Sequence, residues 1–190
     1  VTRLFKLEAY MNLGPQLQIV TDASPWGLGG YLVYNGRIKA FFSSKLTKDD
    51  FDRFRHEQGN SHGQQTWEAL GILVALRLWP QEWLSRRVRL RVRGDSITML
   101  TTALHMNTGS GSTLALIARE VALDVAGAGY TPDVGSHLPG VANKQADALS
   151  RKRSSDEQAW QPPSELVAAP EAFAPARSWE CNRTLAPSVR

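Results

Sequence analysis

The 190-residue chain has a single cysteine, Cys181, which excludes an internal disulfide and any multi-cysteine zinc site. It has no apolar run approaching the ~20 residues a membrane helix needs. The opening VTRLFKLEAYMNLGPQ lacks the apolar core of a signal peptide. These absences lead us to expect an intracellular protein with no membrane partner. The chain opens on Val1 rather than Met, as a piece of a longer protein or a processed product would. No internal repeat is present. What remains is globular in composition, with 42% hydrophobic and 21% charged residues, enough for one domain with a hydrophobic core.

Acids are outnumbered, 18 Asp and Glu against 22 Lys and Arg, for a net charge of +4, which favours an acidic partner. The basic residues cluster. Arg77, Arg86, Arg87, Arg89, Arg91 and Arg93 fall in a stretch with one acid, Glu82. Such a cluster reads either as a solvated stripe or as a phosphate-facing patch.

Patterning divides the chain in three. Residues 1–16 look like a linker or the end of a preceding domain. Residues 17–151 carry regular periodicity. Residues 152–190 hold five of the ten prolines and much Ala and Ser, and are expected to be a tail or linker. Trp160, Phe173 and Trp179 are the residues there that could dock on the domain.

Within the middle part, residues 17–21 (LQIVT), 27–34 (GLGGYLVY) and 37–43 (RIKAFFS) read as strands. Asn35-Gly36 is a hairpin turn signal between the last two. Residues 44–61 are polar, with Leu46, Phe51 and Phe54 as anchors. Residues 64–79 have helical spacing, with Trp67, Leu70, Leu73 and Leu78 on one face. Residues 88–93 alternate Val88, Leu90, Val92 against Arg89, Arg91, Arg93, a strand with one apolar and one basic face. That basic face should be only partly covered. Helices are expected over 95–104, 112–126 and 142–151, and a last strand over 130–137. This order implies an α/β fold, a mixed five-stranded sheet with three antiparallel strands, then two parallel ones, flanked by helices.

Four acids stand in unusual places. Asp22 ends an apolar strand. Glu68 sits inside an apolar helix. Asp95 follows the basic-faced strand. Asp147 lies between Ala146 and Ala148. A carboxylate in such a setting is costly unless a charge or metal compensates it. Singly, Asp95 could be a helix cap, Glu68 a partner of Arg77, and Asp147 an exposed helix residue. If the first and fourth strands are neighbours, Asp22 and Asp95 meet in the crevice at the strand ends. Several carboxylates without thiols suit a hard cation such as Mg²⁺. Two such ions about 4 Å apart can activate a water and steady a leaving oxygen of a phosphodiester.

TDAS at 21–24, TWEAL at 66–70, RGDS at 93–96 and HLPGVANKQADALSR at 137–151 resemble the four signature blocks of the ribonuclease H domain. The version is similar to that of gypsy-type long-terminal-repeat retrotransposons. FFSSKLT at 41–47 also resembles that group. The resemblance implies a ribonuclease H-like fold and an endonuclease that hydrolyses the RNA strand of RNA/DNA hybrids with two Mg²⁺ ions, Mn²⁺ as a substitute. It implies that Asp22, Glu68, Asp95 and Asp147 are the catalytic, metal-holding acids. His137 would be a histidine on a loop that assists proton transfer or product release. Ala23 and Ser24 match a turn whose backbone lies against RNA. Asn143, Arg89, Arg91 and Arg93 complete the expected substrate contacts. A reverse transcriptase domain in the same polyprotein is the expected partner, and the cytoplasm or a retroelement particle the expected location.

One departure is visible. Cellular enzymes of the type often carry an extra basic helix and loop, for which the span 104–112 is too short. Two rival readings stand beside the enzyme. One is a catalytically degenerate module that tethers or binds nucleic acid. The other is an integrase or transposase core, which typically uses two Asp and a late Glu; the position of Glu68 between the first two Asp speaks against it.

Overall fold

The computed structural model describes residues 16–83, 88–94, 113–127, 130–134, 143–152, 154, 160–174 and 177. Three strands open the fold: β1 (Leu17–Ala23), β2 (Gly27–Tyr34) and β3 (Arg37–Lys45). Asn35 and Gly36 both take positive φ, 48° and 79°, the two-residue hairpin turn that Asn-Gly favours. A short helix α1 (Lys48–Phe54) and a long helix α2 (Gln64–Leu78) follow. Then come β4 (Val88–Arg93), α3 (Thr113–Gly127), β5 (Tyr130–Val134) and α4 (Lys144–Arg151).

The strands form one sheet in the order β3-β2-β1-β4-β5. The pairs β1/β2 and β2/β3 are antiparallel, and β1/β4 and β4/β5 are parallel. The sheet is therefore mixed, as the order of patterns implies. Leu17 pairs with Leu90 and Val20 with Arg93, so β4 runs beside β1 and ends next to Val20, with Asp22 just beyond on β1.

Each face of the sheet has its own cover. Leu17, Ile19, Leu28, Leu32, Phe42, Leu90 and Val92 pack under α2 and α3. Helix α2 is buried nearly all round, because the sheet lies on one side and Ile117 and Val121 of α3 on the other. Arg77 ties the two helices, donating to Glu120 at 2.8 Å and to Asp124 at 2.6 Å, so it is engaged by α3 rather than serving as the alternative partner of Glu68. Trp67, Trp79 and Trp83 are core residues. The opposite face holds Val20, Tyr31 and Phe41, under Ala146 and Leu149 of α4 and Leu166. Toward the other edge of that face Arg91 is exposed and Arg93 half-buried, so the basic face is only partly covered.

Two features depart from expectation. The polar stretch 44–61 contains α1, closed by a capping box in which the Thr47 side chain accepts from the Asp50 backbone and Asp50 accepts from the Thr47 N–H. The expected tail is in part a strap on the domain. Trp160 Nε1 donates to the Ala148 carbonyl at 2.7 Å, and Leu166 is fully buried. Phe41 N–H donates to the Pro170 carbonyl and Ala172 N–H to the Phe41 carbonyl. Arg177 then closes on the buried Asp50, on Ser44 Oγ and on the Lys45 carbonyl. A few anchors thus hold a segment whose composition alone cannot sustain a core. Phe173 is exposed, and Trp179 lies outside the described residues.

Candidate active site

Strand alternation sends Asp22 to the same side as Val20, the side that α4 covers. It is the last polar residue of β1, at the end where the parallel neighbour β4 also finishes. Helix α2 reaches the same end from the other face. A Cβ placed on Gly71 would stand 3.8 Å from the Asp22 carbonyl oxygen, in ordinary contact, and Glu68 lies one turn earlier on α2. Helix α4 brings Asp147. Three of the four sequence-identified acids therefore converge, and both Glu68 and Asp147 act electrostatically on Asp22.

Their effect on Asp22 is large. Burial raises its pKa, the hydrogen bond from Ser150 opposes the rise, and the negative charges of Asp147 and Glu68 add to it. Arg151 opposes it more weakly. The carboxyl is pushed from 3.8 up to about 7. Crowded, partly desolvated carboxylates are a setting a divalent cation relieves, and an all-oxygen donor set matches Mg²⁺. By that test the residues fit the ion. Among the described residues no group of three acids, histidines or cysteines closes tightly enough to cage a metal by itself. The fourth acid, Asp95, lies outside the described residues, as does His137. The last described residue before Asp95, Gly94, runs close to Thr21, where an added Cβ would stand 3.4 Å from the Thr21 carbonyl oxygen.

The carboxylates are held by named partners. Both oxygens of Asp22 accept hydrogen bonds from the α4 region: Oδ2 from Ser150 Oγ at 3.0 Å, and Oδ1 from Asn143 Nδ2 at 3.3 Å. Asn143 also donates to the Thr21 carbonyl at 3.2 Å. Glu68 Oε1 accepts from Gln64 Nε2 at 3.2 Å, and the same amide donates to the Ala23 carbonyl at 2.6 Å. Asp147 Oδ1 accepts from Arg151 Nε at 2.7 Å, one turn along α4.

The expected substrate contacts fare unequally. Asn143 is fully buried and holds Asp22, so its side chain supports the site and does not face substrate. Ser24 is also buried. Its hydroxyl donates to the Ser150 carbonyl at 2.8 Å and accepts from the Gly27 N–H, so that side chain is committed within the fold. Arg91 is exposed, and Arg93 lies half-buried beside Tyr31. Arg89 is placed by its backbone in β4 opposite Thr131. His56 is held against α2: its Nε2 lies 3.1 Å from Thr66 Oγ1 and its ring stands edge-on to Trp67. Sequence reasoning did not single out Gln64 or Ser150. Gln64 has a sequence signal, lying four residues before Glu68 on the same helix face.

No family model matches the chain, and no curated protein matches it. Among solved structures, the chain is similar to the crystal structure of RNase H1 from the halophilic archaeon Halobacterium salinarum NRC-1, with a TM-score of 0.52 and 20% sequence identity over 74% of this chain and 98% of that one. At that identity the likeness is one of fold: the chain has a ribonuclease H-like α/β fold, a mixed sheet with helices on both faces.

Proposed function

We propose that the chain is a ribonuclease H, a metal-dependent endonuclease that hydrolyses the RNA strand of RNA/DNA hybrids and leaves 5′-phosphate and 3′-hydroxyl ends. The observation that carries this reading is the convergence of Glu68 and Asp147 on Asp22, at the strand end of a fold of this type. Asp22, Glu68, Asp147 and, from its sequence block, Asp95 are the residues that would hold two Mg²⁺ ions. When bound, such ions supply an activated water and charge stabilisation at the leaving oxygen.

The chain's own groups do the rest. Ser150 and Asn143 fix the orientation of Asp22. Gln64 ties Glu68 to the Ala23 carbonyl, so the acid and the turn expected against the RNA strand move together. Arg151 balances Asp147. His137, from its sequence block, would assist proton transfer or product release, a task imidazole suits with an ordinary pKa of about 6.5. The exposed Arg91 and its neighbours supply phosphate contacts. The four sequence blocks support a retroelement setting, with a reverse transcriptase domain in the same polyprotein.

The test is cleavage of an end-labelled hybrid with and without Mg²⁺, by the wild-type chain and by Asp95→Asn. We expect Mg²⁺-dependent cuts in the RNA strand and none from the variant. Equal cleavage by both proteins refutes the assignment. Hybrid binding without cleavage by the wild type would favour a degenerate nucleic-acid-binding module.

A further inference from the structure

The backbone of α4 lies unusually close to the sheet at Gly29, the residue that pairs with Asp22 across β1 and β2. A Cβ on Gly29 would fall 2.4 Å from the Ser150 nitrogen and 2.6 Å from the Leu149 carbonyl carbon, so only glycine admits the helix there. Sheet hydroxyls hold the helix end in this seat. Ser43 Oγ donates to the Leu149 carbonyl at 2.9 Å, and Ser24 Oγ lies 2.8 Å from the Ser150 carbonyl. The consequence is local and specific. Ser150, fully buried, presents its hydroxyl 3.0 Å from Asp22 Oδ2 and 2.9 Å from the Asp147 carbonyl. A serine hydroxyl carries one proton. It can go to the Asp22 carboxylate or back to the main chain of the turn that bears Asp147, so one group links the Asp22 carboxylate to the backbone of that turn.

We infer that Ser150, seated over Gly29, is a positioning residue for the carboxylate site: it aims Asp22 and couples its orientation to the helix that carries Asp147. The inference rests on the metal-nuclease reading above. Hydrogen-bonding groups behind metal ligands typically change affinity or activity by about 10–100-fold when removed.

The experiment compares wild type, Ser150→Ala and Ser150→Thr, the last keeping the hydroxyl. Mg²⁺ binding is followed by titration calorimetry, and the Mg²⁺ dependence of hybrid cleavage is measured separately. Circular dichroism confirms the folded fraction in each sample. We expect Ser150→Ala to bind Mg²⁺ about tenfold more weakly and to need about tenfold more for half-maximal cleavage. At saturating metal the KM for hybrid should be unchanged, and Ser150→Thr should recover most of the affinity. Wild-type Mg²⁺ affinity in folded Ser150→Ala overturns the inference. So does a loss that appears only as a raised KM for hybrid. If the wild type binds Mg²⁺ but never cuts hybrid, the functional reading fails while the affinity difference still decides the role of Ser150.

Discussion

Replacing Asp22 by Asn should make the metal-free protein more stable at alkaline pH. Asp22 is the acid most burdened by its surroundings, with its pKa raised from 3.8 to about 7 by burial and by Asp147 and Glu68, against the hydrogen bond from Ser150. A folded-state pKa above the unfolded one means that the folded chain keeps the proton longer. Below pH 3.8 both states are protonated and Asp22 makes no difference. As pH rises from there to about 7, the unfolded chain has lost the proton and the folded one has not, so stability falls; above that point the penalty is complete. The interval amounts to roughly 4 kcal/mol at ~1.4 kcal/mol per pH unit. Asp22 keeps some contact with solvent, which reduces the figure by screening. The Asn amide also cannot accept from both Ser150 and Asn143, a loss of about 1–2 kcal/mol. A net gain of about 1–3 kcal/mol for Asp22→Asn remains. Urea denaturation in EDTA at about pH 5 and about pH 8.5 measures it, with the gap widening toward the higher pH. Mg²⁺ should then narrow the gap by stabilising the wild type. A variant no more stable than wild type at the higher pH, or a gain independent of pH, would refute the electrostatic account.

Two further predictions concern the strap. Arg177→Met leaves the buried Asp50 without its guanidinium, and should cost about 3–5 kcal/mol in urea denaturation at neutral pH. Burial alone would raise the Asp50 pKa, but Arg177 and Thr47 outweigh it and hold the carboxyl below 3.8. The pair's contribution is therefore fully present above that pH, and the difference between variant and wild type should shrink as pH falls below it toward the lowered pKa of the folded state. Leu166→Ala empties a fully buried site among Val20, Tyr31, Phe41, Ala146 and Leu149, and should cost about 2–5 kcal/mol in the same assay. A loss below about 0.5 kcal/mol would mean that the strap does not pack there.

The legible parts of the molecule were those whose signal is local. Alternation in β4 and the Asn35-Gly36 turn needed no tertiary knowledge, and both elements stand where their patterns place them. Glu68 and Asp147 were conspicuous because a charge among apolar neighbours is costly, and the fold brings both to Asp22. Helix α1 was hidden because its Thr47–Asp50 capping box opens no apolar run. Ser150 was hidden for a different reason. A serine in a helix is common, and its importance arises only from the missing side chain of Gly29, which lies 121 positions earlier. The motif marks Asn143 but shows neither its burial nor that its amide donates to Asp22. Of the strap only the Trp160 anchor was legible, because main-chain hydrogen bonds at Phe41 and single anchors at Leu166 and Arg177 leave no periodicity.

The strap also bears on the solubility of the domain. Strand β3 is the outermost strand on its side of the sheet, and Phe41 in its middle spends its N–H and C=O on Pro170 and Ala172. A chain cut back to residue 151 would free those groups, together with the apolar seat of Leu166. An uncovered edge of that kind pairs readily with another copy of itself. The Pro-rich stretch that looks dispensable by composition would then separate a monodisperse protein from one that self-associates.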